Sequence, residues 1–200
     1  MKNLFKRSLQ VVVLFTLLGS NAMSNDNNPS NNLIVVNGKL VDITLKYNDG
    51  DLKININDSF GYVLYNDIYK GASFTRKFDL TSLPNGSYYF EIEGQTRISR
   101  IPFNVNSTNV DFLKDEESVF FKPIVRMQDN TILISKITLN NEKLNLELYD
   151  EDLNLLYTEE LVGDIQLQRG LNISKLMVGE YKLVMNSEKR KFEQKVKKRK

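Results

Sequence analysis

Apolar and polar residues alternate along most of the chain after residue 32. Leu52, Ile54 and Ile56 are separated by polar residues, and the same spacing recurs over residues 144–148. A period of two buries one face of a strand and leaves the other face in water, as in antiparallel sheets. No segment shows a sustained helical period. The pattern therefore predicts an all-β fold.

Turn-forming residues divide this part of the chain into short runs at the spacing of an immunoglobulin-like sandwich, which has about seven strands. In the first half, the predicted strands are 33–37, 40–46, 52–56, 61–66, 72–80, 87–93 and 97–105. In the second half, they are 119–126, 131–139, 143–149, 154–161, 165–173, 180–187 and 190–197. Asn48-Asp49-Gly50 and Pro84-Asn85-Gly86 have turn composition, and their glycines are free to adopt positive φ.

The two halves contain the same residues at nearly constant separation. The pattern L-x-x-L-x-x-G-x-Y ends at Tyr88, and it recurs with Ile173 in place of the first Leu and ends at Tyr181, 93 positions later. Upstream, residues 54–67 align with residues 146–159 at an offset of 92, so one inserted residue accounts for the difference. This repetition predicts two tandem copies of one β-sandwich.

The repeated pattern has a structural interpretation. In Greek-key sandwiches, a Tyr near the start of the sixth strand returns its hydroxyl to the backbone a few residues upstream, which forms a tyrosine corner. The preceding Leu fills the core, and the Gly permits a tight entry to the strand. The predicted corner residues are Leu83, Gly86, Tyr88, Leu176, Gly179 and Tyr181.

These motifs resemble a known group of modules. The hairpin Tyr149-Asp150-Glu151-Asp152-Leu153, the second L-x-x-G-x-Y pattern and the Lys-rich end are similar to the immunoglobulin-like modules of secreted Bacteroidota proteins. They are especially similar to the C-terminal sorting domain of the type IX secretion system. The resemblance covers residues 143–200 well and residues 52–105 as a weaker copy. It implies a β-sandwich fold and contact with secretion machinery.

The composition disfavours several classes of enzyme. The chain contains no Cys and no His. Disulfides, thiolate metal sites and Cys nucleophiles are therefore excluded, and the commonest general base is missing. We expect a protein that is not an enzyme and has no cofactor.

The first 22 residues have the features of an export signal. Basic residues precede the apolar run LQVVVLFTLL, and Ser20-Asn21-Ala22 provides small residues for cleavage. The run is shorter than the roughly 20 residues needed to span a bilayer. Removal of residues 1–22 changes the formal net charge of the chain from +2 to about −1. We expect an exported mature protein, located in the periplasm, at the cell surface or outside the cell, with no stable membrane span.

The predicted organisation follows from these features. Residues 1–22 form a signal peptide, residues 23–32 a flexible leader, and residues 33–105 the first β-sandwich. Residues 106–118 are expected to be a linker, and residues 119–200 the second sandwich with a basic tail.

The basic tail has two interpretations. Its cations could contact an anionic partner, such as lipopolysaccharide, membrane headgroups or an export machine. They could instead be the solvated residues of an edge strand that Lys protects from pairing. The residues concerned are Lys195, Lys197, Lys198, Arg199 and Lys200. Nucleic acid is not an expected partner, because the chain is exported and the tail lacks interleaved aromatic residues.

Other sites were weighed against simpler interpretations. The acidic clusters at residues 48–51 and 150–152 could bind calcium, but neither has the spacing of a calcium loop, so hairpin turns are favoured. The sequence favours a binding, adhesion or surface-associated module for a protein or envelope glycan. Two alternatives stay open, which are a small cargo whose second domain is a sorting signal and a carboxylate-dependent hydrolase of envelope glycans. An exposed strand such as 33–37 could also pair with a partner.

The cleavage site is directly testable. We expect the mature protein to begin near Met23, because Ala22 is the last small residue of the exit from the signal peptide. N-terminal sequencing of the protein from its native host checks this expectation. A sequence that begins at Met1 would contradict it.

Overall fold

The fold is described from a computed structural model of residues 33–46, 50–71 and 73–199, in which almost all regular structure is β-strand. The chain divides into two compact units, with the division between Phe120 and Phe121. The all-β fold predicted from alternation is confirmed. The predicted signal peptide and leader lie outside the described residues.

The first unit is built from two sheets. Strands β1, β2 and β5 form the smaller sheet, and the larger sheet has the order β4-β3-β6-β7-β8, with β9 also paired to β7. The strands are β1 (Leu33–Asn37), β2 (Leu40–Lys46), β3 (Leu52–Asp58), β4 (Val63–Tyr69), β5 (Ser73–Asp79), β6 (Gly86–Glu93), β7 (Arg97–Val105), β8 (Val110–Phe112) and β9 (Ser118–Phe121).

The second unit repeats this plan. Its smaller sheet has the order β10-β11-β14, and its larger sheet has the order β13-β12-β15-β16. The strands are β10 (Ile124–Gln128), β11 (Thr131–Ile137), β12 (Leu144–Tyr149), β13 (Leu155–Leu161), β14 (Gln166–Asn172), β15 (Gly179–Ser187) and β16 (Arg190–Lys198). In each unit the first, second and fifth strands form one sheet and the others form the second sheet. The protein therefore contains two tandem immunoglobulin/fibronectin-III-like β-sandwiches.

Each unit has its own hydrophobic core, built from the alternating residues that the sequence indicates. In the first unit, Ile54, Phe90 and Phe103 lie among the buried side chains between the two sheets. In the second unit, Leu146 and Leu183 lie in the equivalent layer. The first core contains several packed Phe rings, whereas the second is mainly aliphatic.

The segment predicted as a linker, residues 106–118, belongs largely to the first unit. Strand β8 within it pairs with the end of β7, and a short 3-10 turn follows at Lys114–Glu116. Val110 is buried, and Phe112 packs against the same core. The linker prediction was wrong here, because a strand of three residues is too short to show an alternating pattern.

The predicted strand 119–126 is also divided. It consists of the end of β9 and the start of β10, which are separated by Lys122 and Pro123. Proline cannot donate a backbone hydrogen bond to a sheet, so the break falls where the sequence contains it.

The part of the chain that the structure describes contains no helix long and apolar enough to cross a membrane.

Candidate binding surfaces

Both corner tyrosines make the hydrogen bond that a tyrosine corner requires. The hydroxyl of Tyr88 donates to the carbonyl of Pro84 at 3.0 Å, and the hydroxyl of Tyr181 donates to the carbonyl of Met177 at 2.7 Å. Both rings are buried. Burial, together with the nearby Asp150 and Glu151, raises the pKa of Tyr181, so its hydroxyl remains a donor. These tyrosines connect each loop to its sheet and are not surface groups.

The glycines of this motif are needed because they have no side chain, and not because their backbone adopts positive φ. Gly86 and Gly179 both lie outside the left-handed region. A Cβ atom on Gly179 would lie 3.0 Å from the Glu151 carboxylate, which accepts a hydrogen bond from the Glu180 amide at 2.8 Å. Gly179 therefore lets this carboxylate approach the backbone.

The leucines of the motif complete the corner. Leu83 and Leu176 are half-buried and pack against the cores of their own units. The amide of each donates to a carbonyl three residues upstream, from Leu83 to Leu80 at 3.1 Å and from Leu176 to Ile173 at 3.0 Å. The three motif residues of each unit thus form one local structure.

The basic tail is a strand of the second sandwich. Within β16, Val196 is buried in the core, whereas Lys195 and Lys197 are exposed. Arg199 follows the strand and is also exposed, and Lys200 lies outside the described residues. The cations that can meet a partner are therefore those on the outer face of the strand.

Lys198 has a different position from its neighbours. Its side chain points inward, and its ammonium donates to the carbonyls of Ser174 at 2.5 Å and Leu176 at 2.6 Å. This lysine caps the loop that leads into the corner of Tyr181. Its predicted contact with an anionic partner is not compatible with this position.

A shallow groove of about 590 Å³ lies beside the exposed end of the tail. Lys197 and Arg199 line it together with Asp129 and Asn130 from the turn between β10 and β11. The carboxylate of Asp129 offsets part of the positive charge of this groove. A second groove, of about 330 Å³, lies in the first unit between β4 and β5, where its only lining carboxylate is Asp79.

The β3–β4 hairpin of the first unit has an exposed aromatic tip. Phe60 and Tyr62 are 87% and 73% exposed. One carboxylate oxygen of Asp58 accepts from the amides of both residues, at 3.0 and 2.8 Å, and Gly61 takes the positive φ that the turn requires. Hydrogen bonds thus hold the loop that carries these two aromatic side chains.

The β12–β13 hairpin of the second unit has the same backbone structure. Asp150 accepts from the amides of Asp152 and Asn154 at 3.0 and 2.8 Å. The left-handed position of Gly61 is occupied by Leu153, which is 67% exposed and has a φ of 61°. The side-chain amide of Asn154, together with these backbone amides, holds the pKa of Asp150 below its usual value. The backbone of the loop is shared between the units, but its exposed side chains differ.

The structure describes the acidic cluster at residues 150–152, for which the sequence favours a hairpin turn over a calcium site. Asp150 is occupied as the acceptor within its hairpin, and Glu151 accepts from the Glu180 amide. No group of three His, Cys, Asp or Glu residues within the described ranges could hold a metal ion. Asn48 and Asp49 lie outside those ranges.

Each unit also contains a network of Tyr, a carboxylate and Arg that sequence analysis missed. In the first unit, the hydroxyl of Tyr65 donates to Asp67 at 3.0 Å, and Arg76 forms an ion pair with the same carboxylate. In the second unit, Tyr157 and Arg169 both bind Glu159. The Arg lies on the smaller sheet, and the other two residues lie on the larger one. Each network therefore ties the two sheets together at one flank.

The contacts within each network shift the pKa of a residue in it. The ion pair with Arg76 is the main cause that lowers the pKa of Asp67. Burial and the hydrogen bond to Glu159 raise the pKa of Tyr157. The sequence contained a signal for this network, since each carboxylate follows its Tyr by two residues and the Arg recurs at an offset of 93.

A buried lysine was also missed. The side chain of Lys136 is fully buried, and its ammonium donates to the carbonyl of Ile137 at 3.1 Å. The carboxylate of Glu142 lies 3.9 Å away, and burial lowers the pKa of Lys136. This internal charge pair is part of the second sandwich and is not available to a partner.

Comparison with known families bears on the predicted resemblance. Residues 27–101 match the family model described as "Secretion system C-terminal sorting domain". The resemblance to the sorting domain is confirmed. The match lies on the first unit, where the sequence motifs indicated the weaker copy. No curated protein matches the chain.

Two solved structures are similar to this chain at low identity. One is the BSP domain of a biofilm-associated protein, with 13% identity and a TM-score of 0.26 over 82% of this chain. The other comprises the FN1–FN3 domains of chicken CNTN1, with 9% identity and a TM-score of 0.27 over 82% of this chain. This chain spans 29% and 65% of their respective lengths.

The corner hydrogen bond can be tested by removing one oxygen atom. We expect Tyr181→Phe to lower the free energy of unfolding by about 1 kcal/mol, a typical value for a hydrogen bond. Urea denaturation of the purified protein measures the change. Tyr62→Phe is the control, because Tyr62 is exposed and the substitution should leave stability unchanged. An unaltered denaturation midpoint for Tyr181→Phe would argue against the corner.

Proposed function

We propose that this chain is an exported, non-enzymatic protein whose two sandwiches act as a binding module associated with the cell surface. The observation that carries the proposal is the match of residues 27–101 to a secretion-system sorting domain. Such a match supports passage across the cell envelope and a final location at or beyond the cell surface.

The hairpin tip of the first unit is the surface best suited to binding. Phe60 and Tyr62 are large, exposed and carried on a loop whose amides bond to Asp58. Holding aromatic side chains in place before contact reduces the entropy lost on binding. We propose that this tip contacts a protein or glycan of the cell envelope.

The described grooves do not favour the glycan hydrolase. Glycoside hydrolysis typically uses two carboxyl groups that flank the scissile bond, roughly 5–10 Å apart. The groove in the first unit is lined by the single carboxylate Asp79, and the groove in the second by Asp129. These linings support a binding role over a hydrolytic one.

The binding role can be tested with purified residues 23–200 and isolated envelopes of the native host. We expect the double substitution Phe60→Ser and Tyr62→Ser to reduce retention on envelopes at least about tenfold, which corresponds to about 1.4 kcal/mol. Co-sedimentation measures the retention. Protease-treated and periodate-treated envelopes distinguish a protein partner from a glycan.

The matched control removes two exposed apolar side chains from a loop of the other unit. Met177→Ser with Val178→Ser should leave retention unchanged, since these side chains lie on a different loop. Both double variants should keep the melting temperature of the natural protein. Natural retention by the Phe60 and Tyr62 variant would overturn the proposed binding surface.

A second candidate function is that the second unit acts as a sorting signal for the first. The exposed cations Lys195, Lys197 and Arg199 on one side of β16 favour this role, because export machinery could recognise clustered charge. Removing residues 188–200 would not test it cleanly. That deletion takes away all of β16, including the buried Val196, and would unfold the unit.

The sharper test neutralises only the exposed charges. In a host with a type IX system, we expect Lys195→Gln, Lys197→Gln and Arg199→Gln together to retain the protein in the periplasm if the unit is a sorting signal. Immunoblots of cell fractions measure its location. Lys39→Gln, Lys53→Gln and Lys77→Gln in the first unit form the control. Unchanged secretion of the tail variant would exclude a sorting role for these cations.

A further inference from the structure

Strand β4 is an unpaired edge of the first unit. Within the described part of the chain, its only strand partner is β3, at the inner side of the sheet. The amide of Ile68 donates to the side chain of Asp67 at 2.9 Å instead of to another strand. A further strand at this edge would take the place of the Asp67 side chain at the Ile68 amide.

This edge has only part of the usual protection against pairing, because a bulge at Leu64 interrupts its ladder with β3. Natural edge strands often carry Lys or Pro, which oppose the addition of another strand. Strand β4 contains neither, whereas the edge strand β16 carries several Lys residues. Leu64 and Ile68 are 50% and 59% exposed on β4, and its single charged residue, Asp67, is paired with Arg76.

We propose that β4 pairs antiparallel with β4 of a second copy of this chain, about a two-fold axis at Asn66. The order of residues in the strand is self-complementary around this position. Leu64 would face Ile68 of the partner subunit, Tyr65 would face Asp67 of the partner subunit, and the two Asn66 residues would face each other. A two-fold interface requires this kind of self-complementarity.

The physical gain comes from two sources. Cross-strand apolar pairs such as Leu with Ile stabilise adjacent strands by roughly 0.2–1 kcal/mol each, and the two-fold axis produces this pair twice. Outward-facing backbone groups gain partners along the joined edge. Neutralisation of Asp67 by Arg76 limits repulsion between the two copies. We expect a dimer that forms in a concentration-dependent manner.

The equivalent edge of the second unit does not have this property. Around Thr158, the centre of β13, antiparallel self-pairing would place Leu156 opposite Glu160 of the partner subunit. Glu159 and Glu160 pair with Arg169 and Lys143, but each copy would still place two acidic side chains on the joined edge, where β4 places one. The two units share an architecture, so β13 provides a matched control for β4.

The register can be tested by disulfide trapping, because the natural chain contains no Cys. Hydrogen-bonded residues across an antiparallel pair have Cα atoms about 5.5 Å apart, a separation that fits a disulfide. We expect Asn66→Cys in residues 23–200 to form a disulfide-linked dimer under mild oxidation, seen on a non-reducing gel. Thr158→Cys should remain monomeric. Equal cross-linking of both variants, or none at Asn66→Cys, would overturn the register.

A second measurement uses the natural protein and does not require the Asn66→Cys substitution. Light scattering after size-exclusion chromatography should show that the natural protein forms a dimer as its concentration rises. Ile68→Lys should remain monomeric, because two Lys residues would enter the joined edge, whereas Leu156→Lys should still dimerise. A natural protein that remains monomeric throughout would overturn the proposal and favour a strand from another protein at β4. The result is independent of envelope binding, which is measured with different variants.

Discussion

Each sandwich depends on burying one face of each of its two sheets against the other. The alternating residues of β3 and β6, and of β12 and β15, supply the larger sheet's central part of this contact in the two units. Strand edges and loops lie outside this buried layer, so local hydrogen bonds and ion pairs must stabilise them. The corner tyrosines, the cross-sheet ion pairs and the capping lysine Lys198 all act at the margins of the buried layer.

The sequence allowed most of the strands to be predicted, because alternation is a direct consequence of burial on one side. Strands β1, β2 and β7 have the predicted bounds. Strand β8 could not be recognised, since a run of three residues carries too little alternation, and β9 was predicted as one strand with β10. The break at Pro123 shows that a single residue without an amide hydrogen can divide an otherwise uniform apolar run.

The candidate sites were less predictable for a different reason. A sequence shows the charge of the tail, but the inward position of Lys198 depends on the register of β16 against β15. The Tyr, carboxylate and Arg networks join residues from two sheets, so no periodicity within a single strand reports them. The exposed tip at Phe60 depends on the turn made by Asp58 and Gly61. Only the corner motif was visible, because all its partners lie within a few residues.

The strength of the cross-sheet ion pairs at the flank of each sandwich depends on the ionic strength of the solution. Arg76 and Asp67 are both partly exposed, so dissolved ions screen their attraction. The apolar layer beneath them is not weakened in this way. In a medium of high ionic strength, β4 and β5 would therefore be held less tightly beside the groove that they line, while the core stays intact. The ionic composition of the environment thus acts on the margin of the sandwich and leaves its centre unaffected.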